Sequence, residues 1–326
     1  MCKMNRIRLF ILCLGMIFLF SCKDDDDSDK DMKANLPKLS VDSVSMLGII
    51  GLNNALIFSI DDVPFIGLGY MPLMGKNSYF YYYVPESRSW EQVAVEYPGG
   101  SREEAVAFVI GHKAYVGLGY TAGKTDPMHY YDDFYVYDSD SKTWELLAFE
   151  FPGESRAGAV AFSIGGKGYV GTGFSENAYR LSDFYEFDPV TGWKQVTNIG
   201  YARAGAHAFV ANGYGYVCFG DGANDVQKFD PELKTWKSQP IWYDKDETEK
   251  LHSSLTASFV INKDGEDFVY LWGNERWGYN PRENVWKKVK YPIGGEYGFT
   301  MGGRGFSMSM YLEEGAFKAR IFEVIN

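Results

Sequence analysis

The sequence predicts an all-β protein folded as a six-bladed β-propeller whose ring is closed by an N-terminal strand. Three observations lead to this prediction: a hydrophobic unit that occurs six times, alternation of apolar and polar residues within each unit, and a chain rich in glycine and aromatic residues. The 326 residues are 46% hydrophobic, which suffices for a large core and excludes general disorder. A formal net charge of −11 disfavours nucleic acid as a partner.

Each copy of the unit opens with a phenylalanine that begins an alternating segment. The copies start at Phe58, Phe108, Phe162, Phe209, Phe259 and Phe299. Their spacings of 50, 54, 47, 50 and 40 residues are typical of propeller blades. Within a copy, two alternating strands surround a turn, and an aromatic, acidic third strand and a fourth strand follow. The fourth strand carries tryptophan in five copies: Trp90, Trp144, Trp193, Trp236 and Trp286.

The chain is expected to consist of a signal peptide over 1–21, a lipidated acidic tether over 22–37 and one propeller over 38–326, which contains the six copies. The blades are expected at about 55–97, 103–151, 157–198, 204–242, 254–291 and 296–326. The sixth copy ends after its third strand, so one strand is missing there. Leu39–Ser45 precedes blade one at the distance expected of a fourth strand, and we expect it to complete blade six and remove an exposed sheet edge.

The repeat resembles the kelch motif over nearly everything after residue 38. In that motif, paired glycines follow the second strand, a tyrosine lies on the third and a tryptophan on the fourth. Here the glycine pair is spread by one residue: Gly67 and Gly69, Gly117 and Gly119, Gly171 and Gly173. The chain is identified as a member of the kelch-type, galactose-oxidase-like propellers. This resemblance implies the fold, but kelch repeats serve enzymes and binding modules alike.

The first thirty residues read as an export signal. Three cations precede the apolar stretch Leu9–Phe20, and the segment ends at Cys22. Leu-x-Ser-Cys resembles the lipobox of bacterial lipoproteins, which implies lipidation of Cys22. The acidic run that follows resembles the export signal of Bacteroidetes-type surface lipoproteins, and the alternative is a simple solvated tether. We expect a protein anchored to the outer face of the bacterial outer membrane, with the bilayer contacted through Cys22 only.

Three arginines stand at one position of the repeat, six residues before the phenylalanine. They are Arg102, Arg156 and Arg203, where the returning loop enters the mouth of the central channel. We expect their guanidinium groups to converge on one anionic ligand, because the arginine fork binds a carboxylate through two hydrogen bonds. The alternative is a structural role, in which each arginine donates hydrogen bonds to loop carbonyls.

The loops between strands two and three predict a second ligand surface on one face of the disc. The candidate ligand-binding residues there are Tyr120 and His129 in blade two, Tyr179 in blade three and Trp277 in blade five. Aromatic faces beside carboxylates and amides are typical of sugar-binding surfaces, since the rings stack on the C–H faces of a sugar. The alternative is that most of these rings belong to the core.

No cofactor and no metal site is predicted. The four histidines, His112, His129, His207 and His252, lack the spacing of metal ligands. Copper oxidases built on kelch propellers use a tyrosine cross-linked to a cysteine. Cys218 instead occupies a glycine position on a second strand, which favours a buried, small apolar residue.

Two functions follow from these patterns. The first is a monomeric, surface-anchored, non-catalytic module that recognises a glycan, peptide or partner protein at the channel mouth or loop face. The second is a carbohydrate-active enzyme resembling the kelch-type sialic acid mutarotases. That resemblance implies that Arg156 and Arg203 hold the sugar carboxylate and that Glu103, Glu104 or His207 supplies the acid and base. The lack of a catalytic motif favours the first.

Overall fold

The propeller consists of six sheets, the blades, each built from one copy of the repeat. The computed structural model describes residues 32–47, 52–71, 75–122, 128–221, 223–248, 251, 255–273, 275–290, 295–313 and 316–325. Every regular element in these ranges is a strand, and none of their residues forms a helix long and apolar enough to cross a membrane. The predicted signal peptide, Cys22 and the first part of the tether lie outside the described residues.

The strands are numbered along the chain. The closing strand and blade one comprise β1 (Ser40–Leu47), β2 (Leu56–Ile60), β3 (Val63–Gly67), β4 (Tyr70–Met71), β5 (Gly75–Lys76), β6 (Phe80–Val84) and β7 (Ser89–Gln92). Blades two and three comprise β8 (Val106–Ile110), β9 (Lys113–Gly117), β10 (Tyr120–Thr121), β11 (His129–Tyr130), β12 (Phe134–Asp138), β13 (Thr143–Leu146), β14 (Val160–Ile164), β15 (Lys167–Gly171), β16 (Phe184–Asp188) and β17 (Gly192–Val196). Blades four to six comprise β18 (His207–Ala211), β19 (Tyr214–Cys218), β20 (Val226–Asp230), β21 (Thr235–Gln239), β22 (Trp242–Tyr243), β23 (Leu255–Lys263), β24 (Glu266–Gly273), β25 (Arg276–Asn280), β26 (Val285–Lys288), β27 (Tyr297–Met301), β28 (Arg304–Glu313) and β29 (Ala316–Ile325).

The strand order confirms both the six blades and the predicted closure. Blade six has the order β27, β28, β29, β1, so the N-terminal strand completes the sheet that the C-terminal strand would otherwise end. The antiparallel pairing runs from Ser40 opposite Ile325 to Leu47 opposite Ala319. The closing strand begins one residue later than predicted, because Leu39 packs against the core between blades five and six instead.

Neighbouring blades pack through the repeated aromatic residues. In blade two, the rings of Phe108 and Tyr115 on the first two strands lie 4.9 Å apart and are parallel within 4°. Trp144 on the fourth strand of the same blade reaches across to Phe80 of blade one, with ring centroids 5.5 Å apart. The aromatic repeat therefore supplies the interface between blades as well as the core within each one.

The second glycine of each pair is required by the close approach of the loop that enters the same blade. Gly119 has a φ of +91°, and a Cβ there would lie 2.7 Å from the carbonyl oxygen of Glu103. Its N–H donates to the Arg156 carbonyl of blade three at 2.8 Å. The equivalent bonds join Gly69 to Arg102 and Gly173 to Arg203. The glycine pattern thus links each of these blades to the next at the channel mouth.

Small residues on the first strands let the blades converge around the centre. The positions just before each repeat phenylalanine face the cavity there, and five of the six are small: Ala107, Ala161, Ala208, Ser258 and Gly298, with Ile57 as the exception. At Gly298 a Cβ would lie 2.6 Å from the Ser258 carbonyl oxygen. Side-chain size at this position therefore limits how closely neighbouring first strands approach.

Residues 32–39 lie along blade five, although the sequence predicted that most of this segment belongs to a solvated tether. Ala34 is buried; its N–H donates to Asp244 Oδ2 and its carbonyl accepts from Asn280 Nδ2, both at 3.0 Å. Leu36 packs against the core between blades five and six. Blade five also gains a fifth strand, because β22 pairs in parallel with β26. Both features follow from contacts distant in sequence, which no local pattern indicates.

Candidate functional site

The three predicted arginines are buried, and each is held within its own blade. Arg156 is 0% exposed; its Nη1 and Nη2 donate to the two Asp183 oxygens at 2.5 and 2.7 Å, and Nη1 also donates to the Thr172 carbonyl at 3.2 Å. An ion pair with an aspartate and a hydrogen bond to a carbonyl also occur at Arg102, with Asp133 and Leu118, and at Arg203, with Asp225 and Phe219. The structure therefore does not bring the three guanidinium groups together, and their carbonyl contacts match the structural alternative.

These ion pairs explain why an aspartate precedes the third strand in three blades. Burial raises the pKa of Asp183, but the hydrogen bond and the charge of Arg156 outweigh it, so the net pKa lies below its ordinary value. A buried pair that loses one partner leaves an uncompensated charge, which strongly destabilises a fold. The arginines consequently hold the loops in place, and a ligand would have to displace an aspartate to reach them.

A cavity of about 950 Å³ opens where the first strands of the six blades meet. This volume lies within the roughly 300–1,000 Å³ typical of small-molecule sites. Small apolar residues form most of its wall. Its polar lining comes mainly from the loops that enter the first strands, and includes Asn54, Glu104, His207 and Glu296. We call the end of the cavity formed by these loops the channel mouth.

Four loops turn into the cavity through one corner position, four residues before the repeat phenylalanine. The corner residues have left-handed backbones, with φ of 51° at Asn54, 53° at Glu104, 60° at Gly158 and 58° at Gly205. They are linked in sequence around the mouth, because Gly158 N–H donates to the Glu104 carbonyl and Gly205 N–H to the Gly158 carbonyl. Glycine and asparagine suit this conformation, whereas glutamate does not. Blade two therefore differs from blades one, three and four at this corner, where it has Glu104.

Glu104 is half-buried at the channel mouth. Burial and, after it, the charge of Glu103 raise the pKa of the Glu104 carboxyl. Glu103 accepts a hydrogen bond from Asn54 Nδ2 at 2.8 Å, which ties blade two to blade one. The Glu104 carboxylate leans over Gly158, where a Cβ would lie 3.0 Å from its Oε2. The mouth thus holds a carboxyl group with an increased affinity for a proton.

Three partly exposed rings form a cluster beside Glu104, which we call the rim cluster: Tyr120, Tyr130 and Phe174. The ring centroids of Tyr130 and Phe174 lie 5.8 Å apart, and Tyr120 lies 6.2 and 6.4 Å from them, respectively. At Gly158, which lines the cavity, a Cβ would lie 2.9 Å from Phe174 Cε1. Burial raises the pKa of Tyr130, and the charges of Glu104 and Glu176 raise it further. The rim cluster therefore continues from the channel mouth onto the loop face.

The remaining predicted residues lie at several places. His207 lines the cavity, and Glu103 adjoins the rim cluster because β-bridge pairing joins it to Tyr120. Trp277 is 0% exposed and belongs to the core of blade five, so its ring is not available for stacking. Tyr179 is 75% exposed on the loop of blade three, and His129 is exposed in blade two.

Sequence reasoning placed Tyr130 and Phe174 in the loops of the expected sugar-binding surface, but of the three rim-cluster rings it chose only Tyr120 as a ligand candidate. Tyr130 and Phe174 are both only partly buried. The clustering depends on the pairing of β10 with β11, which places Tyr120 opposite Tyr130, and on the adjacency of blades two and three. The available signal was that the loops of these two neighbouring blades carry Tyr120, Tyr130 and Phe174, while Glu103 and Glu104 stand in the loop that enters blade two.

In the part of the chain that the structure describes, no three His, Cys, Asp or Glu residues are grouped to hold a metal ion. Cys218 is fully buried, and burial raises the pKa of its thiol. Its Sγ donates to the His207 carbonyl at 3.7 Å. Cys218 packs with aromatic residues of blades four and five in the way of a small apolar side chain.

Several curated proteins are similar in sequence to parts of this chain. N-acetylneuraminate epimerase from Pasteurella multocida is 28% identical over 121 residues, which are 37% of this chain and 31% of that protein. The enzyme of the same name from Yersinia enterocolitica is 29% identical over 109 residues, 33% of this chain and 26% of that protein. A third, from Yersinia pestis, is 35% identical over 79 residues, 24% of this chain and 20% of that protein. The matches thus span about a third or less of these relatives.

The fold is also that of a solved protein, and a family model covers most of the blades. The structure of YjhT superposes with a TM-score of 0.66 at 15% identity, covering 87% of this chain and 97% of that one, which establishes a shared fold. The family model described as the KLHDC2/KLHL20/DRC7 Kelch-repeats domain matches residues 69–273. Together with the six blades and the glycine-linked loops, this match shows that the chain belongs to the kelch-repeat family.

Proposed function

We propose that this protein binds a saccharide at the channel mouth, with the rim cluster as the stacking surface and Glu104 as a polar contact. The observation that carries the proposal is the placement of three partly exposed rings against a half-buried carboxyl group, at the edge of a 950 Å³ cavity. The sequence similarity to N-acetylneuraminate epimerases supports it, because N-acetylneuraminate is a sugar.

The chemistry of the mouth suits a sugar. One face of a pyranose presents C–H groups that pack on an aromatic ring, and its edge presents hydroxyl groups. A carboxylate accepts strong hydrogen bonds from such hydroxyls, and Glu104 lies beside the rings that would hold the apolar face. Small-molecule sites are typically apolar cavities that contain a small number of well-placed polar groups.

A glycan-binding experiment tests this proposal. The exported chain with Cys22→Ser, which removes the predicted lipidation site, is screened on a glycan array, and hits are titrated by calorimetry. We expect Tyr130→Ala and Phe174→Ala each to weaken binding about five- to tenfold, the loss expected for one stacked ring. Tyr201→Ala, at a tyrosine that is 64% exposed and lies outside the rim cluster, is the matched control. Failure to bind any glycan, or equal loss in all three variants, would contradict the proposal.

We also propose that the protein is a monomeric binding module attached to the outer face of the bacterial outer membrane. The basis is the lipobox-like segment that ends at Cys22 and the acidic run after it. Acyl chains on Cys22 would be its only contact with the bilayer, at about 0.8 kcal/mol per buried CH₂. Mass spectrometry of the mature N-terminus should find a lipidated cysteine, and Cys22→Ser should release the protein from membranes.

Interconversion of sugar anomers is a second candidate function, favoured by the raised pKa of Glu104 and the sequence similarity to epimerases. Such a reaction needs an acid that protonates the ring oxygen and a base that accepts the proton of the anomeric hydroxyl. A carboxyl with a raised pKa keeps its proton to a higher pH and suits the first role, and Glu103 or His207 suits the second. Arg156 and Arg203 do not suit carboxylate binding here, because both are buried in pairs with aspartates.

Proton NMR separates the two candidates. An anomerically pure sugar is mixed with the Cys22→Ser chain, and the exchange between its anomers is followed. A faster exchange that disappears in Glu104→Gln would establish catalysis. Binding without any change in the exchange rate would leave the protein as a binding module.

A further inference from the structure

We infer that Glu104 determines which saccharides the channel mouth accepts, and that it favours uncharged or amine-bearing sugars over sugars that carry a carboxylate. The inference rests on the proposed saccharide site and names its ligand class. It separates this protein from the curated relatives, whose names specify N-acetylneuraminate, a carboxylated sugar.

The charges at the mouth support this selectivity. Among the described residues, the cavity lining includes Glu104 and Glu296 but no lysine or arginine. Glu103 adds a third carboxyl nearby. Its charge acts on the rim cluster at Tyr120, whose pKa is raised by burial and raised further by the charges of Glu103 and Glu104. A concave site lined by one sign of charge concentrates that potential. It therefore repels a sugar carboxylate and attracts an ammonium group.

The arginines of the same loops do not offset this charge for a ligand. Arg102 is 1% exposed and Arg156 is 0% exposed, and each forms an ion pair with an aspartate of its own blade. A carboxylated sugar could use either guanidinium only by displacing Asp133 or Asp183 inside the protein. The cost of separating a buried pair opposes that exchange.

Glu104 is also the unusual member of its repeat position. Among the four corners that have a left-handed backbone, the other three hold Asn54, Gly158 and Gly205, residues that adopt this conformation readily. The carboxyl group of Glu104 and the edge of Phe174 meet at Gly158, so the charge and the stacking surface lie on the same side of the mouth. A sugar stacked on the rim cluster would present its polar edge to Glu104.

Calorimetric titration of the Cys22→Ser chain tests the inference with sugars matched in shape and different in charge. The probes are methyl glucoside, glucosamine and glucuronate, their three galacto counterparts, and N-acetylneuraminate. In whichever series binds, we expect the uronate to bind at least about tenfold more weakly than the uncharged glycoside at neutral pH. N-acetylneuraminate should be discriminated in the same way, and the difference should shrink as salt is added.

Two variants, each lacking one carboxyl charge, test whether Glu104 causes the weaker binding of the uronate. Glu104→Gln keeps the side-chain size, and we expect it to raise uronate binding relative to the uncharged glycoside about five- to tenfold. Glu145→Gln, which makes the same change on the exposed outer strand β13 of the same blade, should leave that ratio unchanged. Melting curves of both variants confirm that the fold is retained.

The outcomes separate this inference from the proposed function. Uronate or N-acetylneuraminate binding as tightly as the uncharged glycoside, or an unchanged ratio in Glu104→Gln, would overturn the inference and leave saccharide binding in place. Absence of binding to every probe would overturn the proposed function, and the inference with it.

Discussion

Arg102 and Glu104 lie two residues apart in one loop, yet their charges serve opposite purposes. Arg102 is 1% exposed, pairs with Asp133 and has its guanidinium carbon 3.8 Å from the centroid of the Tyr131 ring. Glu104 is half-buried at the channel mouth, where burial raises the pKa of its carboxyl. The loop uses the first charge to fix its own shape and turns the second toward the cavity.

The two charged residues differ in how often they occur around the ring. The arginine recurs in three consecutive blades with the same aspartate and the same carbonyl, so it is part of how those blades are built. In blade one, where Leu52 stands at the arginine position, Asn77 Nδ2 donates to the Leu68 carbonyl instead, at 3.1 Å. Glu104 occurs in one blade and breaks the pattern of its corner position. A charged residue that recurs with the same partners indicates a structural role. A charged residue that occurs in one blade, at the cavity, indicates a ligand site.

Removing one arginine should produce the largest effect. We expect Arg156→Met to lower the free energy of unfolding by about 3–5 kcal/mol, because it leaves Asp183 charged and partly buried without its arginine. Urea denaturation followed by circular dichroism measures this loss. The double variant Arg156→Met/Asp183→Leu should recover part of it, since the unpaired charge is then gone. A stability equal to that of the unchanged protein would mean that the pair is not structural.

Acid should weaken the same pair. The net pKa of Asp183 is lower in the folded protein than its ordinary value, so its contribution to stability is present above that ordinary value of 3.8 and is lost as pH falls through the folded pKa. We expect the melting temperature to fall more steeply below pH 4 in the unchanged protein than in Asp183→Asn. Parallel melting profiles for the two proteins in acid would contradict this assignment.

Replacing the corner glutamate should have a smaller effect of opposite sign. We expect Glu104→Gly to raise the free energy of unfolding by about 1 kcal/mol at neutral pH, because it removes a non-glycine residue with positive φ and a partly desolvated charge. Because the folded protein raises the pKa of Glu104, its ionised form costs stability above that pKa, so the gain should diminish in acid. Asn54→Gly is the control, since asparagine already tolerates the conformation.

The smallest effect should distinguish two glycines of the corner position. Gly158→Ala and Gly205→Ala both place a Cβ on a left-handed backbone, but only at Gly158 does it meet other atoms, Phe174 Cε1 at 2.9 Å and Glu104 Oε2 at 3.0 Å. We expect Gly158→Ala to be less stable than Gly205→Ala by about 1 kcal/mol. It should also weaken saccharide binding, which Gly205→Ala should retain. Equal melting temperatures and affinities for Gly158→Ala and Gly205→Ala would contradict the close contact of Gly158 with Phe174 and Glu104.

The sequence predicted the fold in detail because every blade repeats the same physical constraints. Alternating strands recur in all six copies, the tryptophan of the fourth strand in five and the spread glycine pair in three, and the missing fourth strand of blade six could be sought before blade one. The packing of Ala34 against blade five was not predictable, because its partners Asp244 and Asn280 lie more than 200 residues away. Local patterns do not encode such contacts.

The site was less predictable for a related reason. A repeat alignment shows that Arg156 and Glu104 both stand near the mouth, but it does not show which way either side chain turns. The partner of Arg156 lies 27 residues away, just before β16, and the rim cluster forms only when Phe174 of blade three meets Tyr130 of blade two. Trp277 was misplaced for the same reason, since the sequence does not reveal that it is buried.

Ligand-dependent melting of Glu104→Gly, compared with the unchanged protein, shows whether Glu104 serves ligand recognition. Each protein is melted without ligand, with the glycan found by array and with the uronate of the same series. We expect the variant to melt higher than the unchanged protein without ligand, and to be stabilised by the uronate in a way that the unchanged protein is not. A lower melting temperature without ligand, together with unchanged responses to both sugars, would contradict the claim that Glu104 serves ligand recognition.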